Sequence, residues 1–537
     1  MRKLLCICFL IPFVITSAQN LDSLYNTFLA VKGVTQINAQ QNVSIQSEPI
    51  KCSFGIVSQT ALNYDKFPYE QKAALSLLLQ RPAADTSFVT QGGKFRIHFK
   101  KTGFDAPGYD LKELAIAADS SYNYEVNILG YPPPPKDFGK SNVSGNPDDL
   151  YDIFIQNTGK DYGYTQPDSM LNNSTYTSFI VIDNDFGSGY NTLGIDGARV
   201  TIAHELHHAI QIGNYINREN DYFYNEITST AMEDFVYPDI NDYIYYIATY
   251  FRNTQRSFVS TSYDSGYSRA IFNIFLRDRF GINIIKRIWE LIPAERAMQA
   301  IADAIQEKGS SFKVEFNTFG LWTYFTGERS IPNKYFEEAA KYPLISPMVL
   351  TSPMTVNSEA ASNNFFQYND FTSAKRDSAI TLVTNSDLKG ATDTPIKILP
   401  FIYTLTAQQI NGGKQIADGF YSKLESANIS LLAESNVLTG HMSVEEIDYA
   451  YPQPFRYSVH NQLFIPVAGI KGETVELSIF SVDMKLVYSG QKRVLADQVI
   501  LWDVFDLTGK KLGTGVYIYV TKSGDTIKKG KFVIYND

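Results

Sequence analysis

Three of the chain's six histidines fall within five residues, in the run His204-Glu205-Leu206-His207-His208. This H-E-x-x-H pattern constrains the chain more than any other feature of its sequence. Nothing between Gly197 and Gln211 interrupts a helix, and Val200, Ile202, Ala203, Ala209 and Ile210 suit one buried in a core. On a helix His204 and His208 lie one turn apart on the same face, with Glu205 on the adjacent face. Two neutral imidazoles so placed can share a Zn²⁺ ion, and the Glu can act on water held there as general base. A helix buried with two His and a Glu unpaired would lose several kcal/mol, so a cation is the natural compensation. The plain alternative is a surface helix with solvated His. His207 lies off the ligand face and reads as a packing or supporting residue.

A catalytic zinc takes three protein ligands and keeps one open position. The extended motif H-E-x-x-H-x-x-G-x-x-H fails, because Gln211 and Asn214 stand at its Gly and last His, and the next histidine is His441. A carboxylate on a following helix is therefore expected as third metal ligand. Glu226, eighteen residues after His208, is the first choice, ahead of Glu233, Asp234, Glu219 and Asp221. Tyr267 and Tyr263 are candidate donors to a developing oxyanion, against a reading of both as packing aromatics. The loop residues Asp183, Asn184, Asp185 and Asp196 are candidate Ca²⁺ ligands, although the full EF-hand pattern is lacking and a solvated loop is the plainer reading.

The chain opens with Arg2-Lys3, twelve apolar residues from Leu4 to Ile15, and the small-residue exit Thr16-Ser17-Ala18. This reads as a secretory signal peptide over residues 1–18. Twelve helical residues reach roughly 18 Å, too short to span a bilayer. No later stretch is long and apolar enough, so the mature chain is expected to lack a transmembrane segment. Cys6 and Cys8 would leave with the signal, and Cys52 would be the one remaining thiol, without a disulfide partner. A pro-segment thiolate filling zinc's open position is one reading of Cys52; a small buried apolar residue is the plainer one. A net charge of −9 argues against nucleic acid as partner.

Residues 19–91 read as a pro-segment or N-terminal region, with a helix over Tyr69–Leu79. Residues 92–330 read as an α+β domain: strands at Phe95–Phe99, Leu150–Gln156 and Ser178–Asp183, then mainly helices. Residues 331–450 form a β-rich module, and 451–537 a second one with strands at Val475–Phe480, Val499–Val504, Val516–Val520 and Lys531–Ile534.

The HELHH helix with a Glu-bearing second helix is similar to gluzincins. The stretches Lys51-Cys52, Gly93–Phe99 and Tyr267–Phe272 resemble a family of secreted bacterial metalloproteases, over about residues 52–329. Where that family shows E-G-T-A-x-W-M-E-D, this chain keeps Glu226, Thr228, Met232, Glu233 and Asp234, with Ile227, Ser229 and Ala231 replacing the Gly, Ala and Trp. The resemblance implies a zincin-like catalytic domain. Tyr451-Pro452-Gln453-Pro454-Phe455, Trp502-Asp503, Asp506–Lys510 and Gly515-Val516-Tyr517 resemble type IX secretion sorting domains with a FlgD-type Ig-like fold. That implies sorting by the type IX secretion machinery and a secreted or surface-attached location.

The expected function is a secreted zinc metalloendopeptidase acting on protein or peptide substrates. An aminopeptidase-like gluzincin and a non-catalytic adhesin or glycan-binding surface protein are the alternatives.

Overall fold

The computed structural model describes residues 13–34, 49–140, 148–172, 174–261 and 265–349. Beyond these it describes much of 354–440 and nearly all of 449–536. The protein is multidomain, with a helical part built on a small sheet and β-rich parts after it.

Three helices come first: α1 (Phe13–Val31), α2 (Phe54–Leu62) and α3 (Tyr69–Leu78). Then follow β1 (Thr86–Val89), β2 (Phe95–Phe99), α4 (Leu111–Tyr122), β3 (Tyr151–Gln156), β4 (Gly163–Met170) and β5 (Tyr176–Asp183). The strands form one sheet in the order β1-β2-β3-β5-β4. β2, β3 and β5 are parallel neighbours, while β4 runs antiparallel to β5 and forms the edge.

Strand alternation gives this sheet two apolar faces. Ile153, Ile155, Ile180 and Ile182 belong to the main core with Ile202, Leu206 and Ala209. Phe154, Phe179, Val181 and Tyr164 belong to a second core with Phe28, Val57 and Leu75 of the N-terminal helices. The helices of this N-terminal region, legible in the sequence only as an appendage, therefore cover one face of the sheet.

Helix α5 (Gly194–Asn214) lies on the other face, and nearly all of its residues from Gly197 to Gly213 are buried. It stops where Asn214 Nδ2 donates to Pro133 O at 2.9 Å, in the proline-rich loop. Next come α6 (Tyr222–Val236), α7 (Ile244–Arg252), α8 (Ile271–Phe280), α9 (Asn283–Leu291), α10 (Ala297–Glu307) and α11 (Phe312–Tyr324). Trp289 of α9 is buried against Tyr224, with ring centroids 5.7 Å apart, and its Nε1 donates to Thr228 Oγ1 at 3.2 Å. The same core runs on through Phe336, Tyr342 and Ile345, past the expected boundary at 330.

Strands Ser362–Tyr368, Asp377–Asn385 and Ile402–Asn411 form an antiparallel array in the middle region. In the C-terminal region Phe455–Arg456, Thr526–Tyr535, Gly515–Ser523, Thr474–Ser481 and Leu486–Arg493 make a five-stranded sheet. Leu463–Pro466 pairs with Val499–Trp502 in a second sheet, and Leu477, Ile479, Trp502, Tyr519 and Phe532 share the core. Asp506 Oδ1 accepts from the backbone N–H of Thr508 and of Lys510, which builds the turn in the Asp506–Lys510 motif. Tyr451, which opens the sorting motif, lies outside the described residues, as do the first twelve residues of the expected signal peptide. Among the described residues no helix is long and apolar enough to cross a membrane.

Trp289→Ala should destabilise the helical part by about 3–5 kcal/mol, the usual range for an aromatic removed from a packed core. Urea unfolding followed by far-UV circular dichroism measures it. A loss under about 1 kcal/mol would show that the site can collapse around the gap.

Candidate metal centre

α5 and α6 pack side by side, and the short turn Tyr267–Arg269 before α8 packs against α6 and α7. Two glycines permit this closeness. A Cβ on Gly163 of β4 would lie 2.6 Å from Val181 O and 2.9 Å from Thr201 of α5. At Gly266, φ is +132° and a Cβ would lie 2.4 Å from Phe223 O and 3.0 Å from Glu226 Cβ. A side chain at either position would push the edge strand or the Tyr267 loop away from the site.

His204 Nε2 and His208 Nε2 face each other at 3.1 Å. Glu226 Oε2 stands 3.3 Å from the first and 3.4 Å from the second. All three side chains are at most 3% exposed. Each imidazole is held through its other nitrogen. His204 Nδ1 bonds Glu233 Oε1 at 2.7 Å. His208 Nδ1 bonds Gln211 Oε1 at 2.8 Å. Donation from both Nδ1 atoms leaves the Nε2 lone pairs converging on one point with a carboxylate oxygen. Glu226 Oε2 has no hydrogen bond although it is buried. Zinc at about 2.0–2.1 Å from tetrahedral N and O ligands implies ligand separations of about 3.3 Å. The donor set therefore fits a zinc ion in both chemistry and spacing.

Cys52 Sγ belongs to the same cluster, whose four ligand atoms all lie within 4.8 Å of one another. Among the described residues this is the one such group of His, Cys, Asp and Glu.

Electrostatics point the same way. Burial works against a charge on His204, but the carboxylates of Glu226 and Glu233 beside it raise its pKa to about 10. Burial would raise the Glu226 carboxyl, yet the neighbouring imidazoles bring it below its ordinary value. The pocket thus favours positive charge, and a proton on His204 stands in for a cation. Burial, then Glu205 and Glu226, push the Cys52 thiol well up.

Glu205 is fully buried. Its Oε2 accepts from Thr165 Oγ1 at 2.8 Å, and Oε1 has no hydrogen-bond partner. His207 points away from the cluster, bonding Glu125 at 2.8 Å and packing edge-on against Tyr131 and Trp289. Burial lowers the His207 pKa and raises that of Glu125, so the pair stays uncharged. Tyr267 OH donates to Cys52 O at 2.6 Å, and its ring lies 6.4 Å from that of His204. Tyr263 lies outside the described residues.

The other carboxylates weighed as third ligand lie elsewhere. Glu233 orients His204 and pairs with Lys51 at 2.7 Å. Asp234 pairs with Arg277, and Asp221 with Arg218 and Arg296; Glu219 sits in a short 3-10 turn before α6. The loop acids considered for Ca²⁺ are engaged as well. Asp183 accepts from the N–H groups of Thr158, Asp185 and Phe186, Asn184 donates to Phe104 O and Ala106 O, and Asp196 pairs with Arg199.

Sequence reading missed the support layer: Gln211, Ser229, Lys51, Asp242 and Thr165. Gln211 alone left a signal, three residues after His208 on the same helix. Its amide donates to Asn225 O and Ser229 Oγ and accepts from Asn225 Nδ2.

Zinc at a hundredfold excess over its Kd should stabilise the chain by about 2.7 kcal/mol if it binds only the folded form. His204→Ala should abolish that gain, and Gln211→Ala should weaken zinc affinity by about 10–100-fold. Thermal unfolding and competition with a chelator read both.

Residues 190–309, which carry both imidazoles and Glu226, match a family of unknown function (DUF6055). No curated protein matches. One solved structure similar to the chain is PorZ, an essential bacterial surface component of the type IX secretion system of Porphyromonas gingivalis; identity is 14%, covering 30% of this chain and 29% of that one, with a TM-score of 0.14. Another is dimeric latent PorU from Porphyromonas gingivalis; identity is 14%, covering 32% of this chain and 20% of that one, with a TM-score of 0.14. The chain thus spans less than a third of either protein's length.

Proposed function

We propose that the chain is a zinc-dependent metallopeptidase with a zincin-like catalytic domain. The observation that carries this reading is the convergence of His204 Nε2, His208 Nε2 and Glu226 Oε2, at 3.1 to 3.4 Å, in a buried pocket. Zinc held by these three residues would supply Lewis acidity toward a scissile carbonyl and would lower the pKa of water.

The chain's own residues account for the proton transfers. Thr165 Oγ1 fixes one oxygen of Glu205 and leaves Oε1 free. That oxygen takes a proton from the attacking water and returns it to the leaving amine. Glu233 and Gln211 keep both imidazoles turned with Nε2 inward. Tyr267 already donates to a backbone carbonyl, the class of acceptor that becomes an oxyanion in peptide hydrolysis.

Endopeptidase action is favoured over the aminopeptidase alternative, because no amine-anchoring motif is legible in the sequence. The basic and apolar N-terminus and the C-terminal module support export and sorting by the type IX secretion machinery, to the medium or the cell surface. The two-sheet core around Trp502 and the Asp506 turn agree with an Ig-like sorting module.

Zinc-loaded protein should cleave casein, tested as the full chain and after nicking by a second protease. Glu205→Gln should bind zinc as wild type does and lose roughly 10²–10⁴ in rate. Undiminished cleavage by that variant removes Glu205 from the chemistry. If no form cleaves casein or aminoacyl-amides with zinc bound, the reading fails and the adhesin alternative takes its place.

A further inference from the structure

We propose that Cys52 is the fourth ligand of the cation and that residues 50–54 form an autoinhibitory strap closing the site; the inference rests on the metallopeptidase reading above. A catalytic zinc needs its fourth position open. Here Cys52 Sγ stands in one group with the donor atoms of His204, His208 and Glu226. Thiolate is a ligand zinc takes readily, so Cys, two His and Glu make a closed shell. On binding, the thiol proton leaves to solvent as the sulfur–metal bond forms. When the strap departs that bond breaks and the position passes to water.

The path of the strap is independent support. It runs beside residues 160–163, the segment that leads into β4 at the edge of the sheet. Ile50 N donates to Lys160 O at 2.8 Å, Tyr162 N to Ile50 O at 3.0 Å, and Ser53 N to Gly163 O at 3.3 Å. An extended peptide adds to a sheet edge by this same kind of pairing. The ring of Phe54 stacks on His208 with centroids 4.0 Å apart, and the carbonyl of Cys52 takes the Tyr267 hydroxyl. One short segment thus meets the start of the edge strand, one face of a ligand, the oxyanion donor and the fourth position. Lys51 anchors it, fully buried between Glu233 and Asp242.

Cobalt(II) in place of zinc tests the ligand directly. The full-length wild type, loaded with one equivalent, should show sulfur-to-cobalt charge-transfer absorption in the near ultraviolet. Cys52→Ser should bind cobalt without that band. Cobalt bound by wild type without the band overturns the proposal and leaves the three-ligand site standing; the wild-type spectrum decides this even if the variant misfolds. Failure of wild type to bind cobalt overturns the metallopeptidase reading and the strap with it. Zinc-loaded full-length Cys52→Ser should also cleave casein at least about tenfold faster than wild type, a barrier change of some 1.4 kcal/mol. Equal rates overturn the inhibitory role.

Discussion

One buried carboxylate joins the ligand helix, the second helix and the N-terminal strap. Glu233 of α6 takes His204 Nδ1 on one oxygen and Lys51 Nζ on the other, each at 2.7 Å. All three side chains are at most 1% exposed. Removing one partner of such a pair leaves an uncompensated buried charge, typically at a cost of about 3–5 kcal/mol. The orientation of an imidazole and the seating of the strap therefore share one interaction. Asp242 supplies a second anion to Lys51, so the strap is held even as Glu233 serves the histidine.

The N-terminal segment has two roles that differ in energy. Its helices cover Phe154, Tyr164, Phe179 and Val181 on one face of the sheet. Baring four such side chains would forfeit about 1.5–3 kcal/mol apiece. The strap meets residues 160–163, the site, and the carboxylates of Glu233 and Asp242 that hold Lys51. Local displacement of residues 50–54 leaves that covered face intact but breaks the Lys51 pairs with Glu233 and Asp242. Gly163 matters to both events, because its bare Cα lets β4 lie against α5 while its carbonyl receives Ser53.

The ligand helix was the most legible part of the chain, since helical spacing alone puts His204 and His208 on one face. Helix α6 was legible from its run of acids, but spacing could not rank Glu226 against Glu233. Both face α5, and what separates them is which imidazole nitrogen each meets. Gln211 left only its place, three residues after His208 on the same helix, and an amide there belongs to no metal-binding pattern. Lys51 was hidden because its partners Glu233 and Asp242 lie far along the chain, whereas Cys52 was already readable as a thiolate for zinc's open position. Elements without clean periodicity were missed: α2, α7, α11 and the edge strand β4, whose Gly163 and Pro167 are poor strand formers. In the C-terminal region the strand Leu486–Arg493 escaped notice because polar residues fill most of it.

The charge balance of the site explains why so many acids are buried together. Glu205, Glu226, Glu233 and Asp242 stand as four carboxylates against the single ammonium of Lys51, and all are nearly excluded from water. A proton on His204 relieves part of this excess, which is why that imidazole holds it up to about 10. A divalent cation would relieve more, at the point where Glu226 Oε2 and both Nε2 atoms converge. On the proposed metal reading, a burial of acids that would otherwise oppose folding would become a reason for the fold to take up a cation.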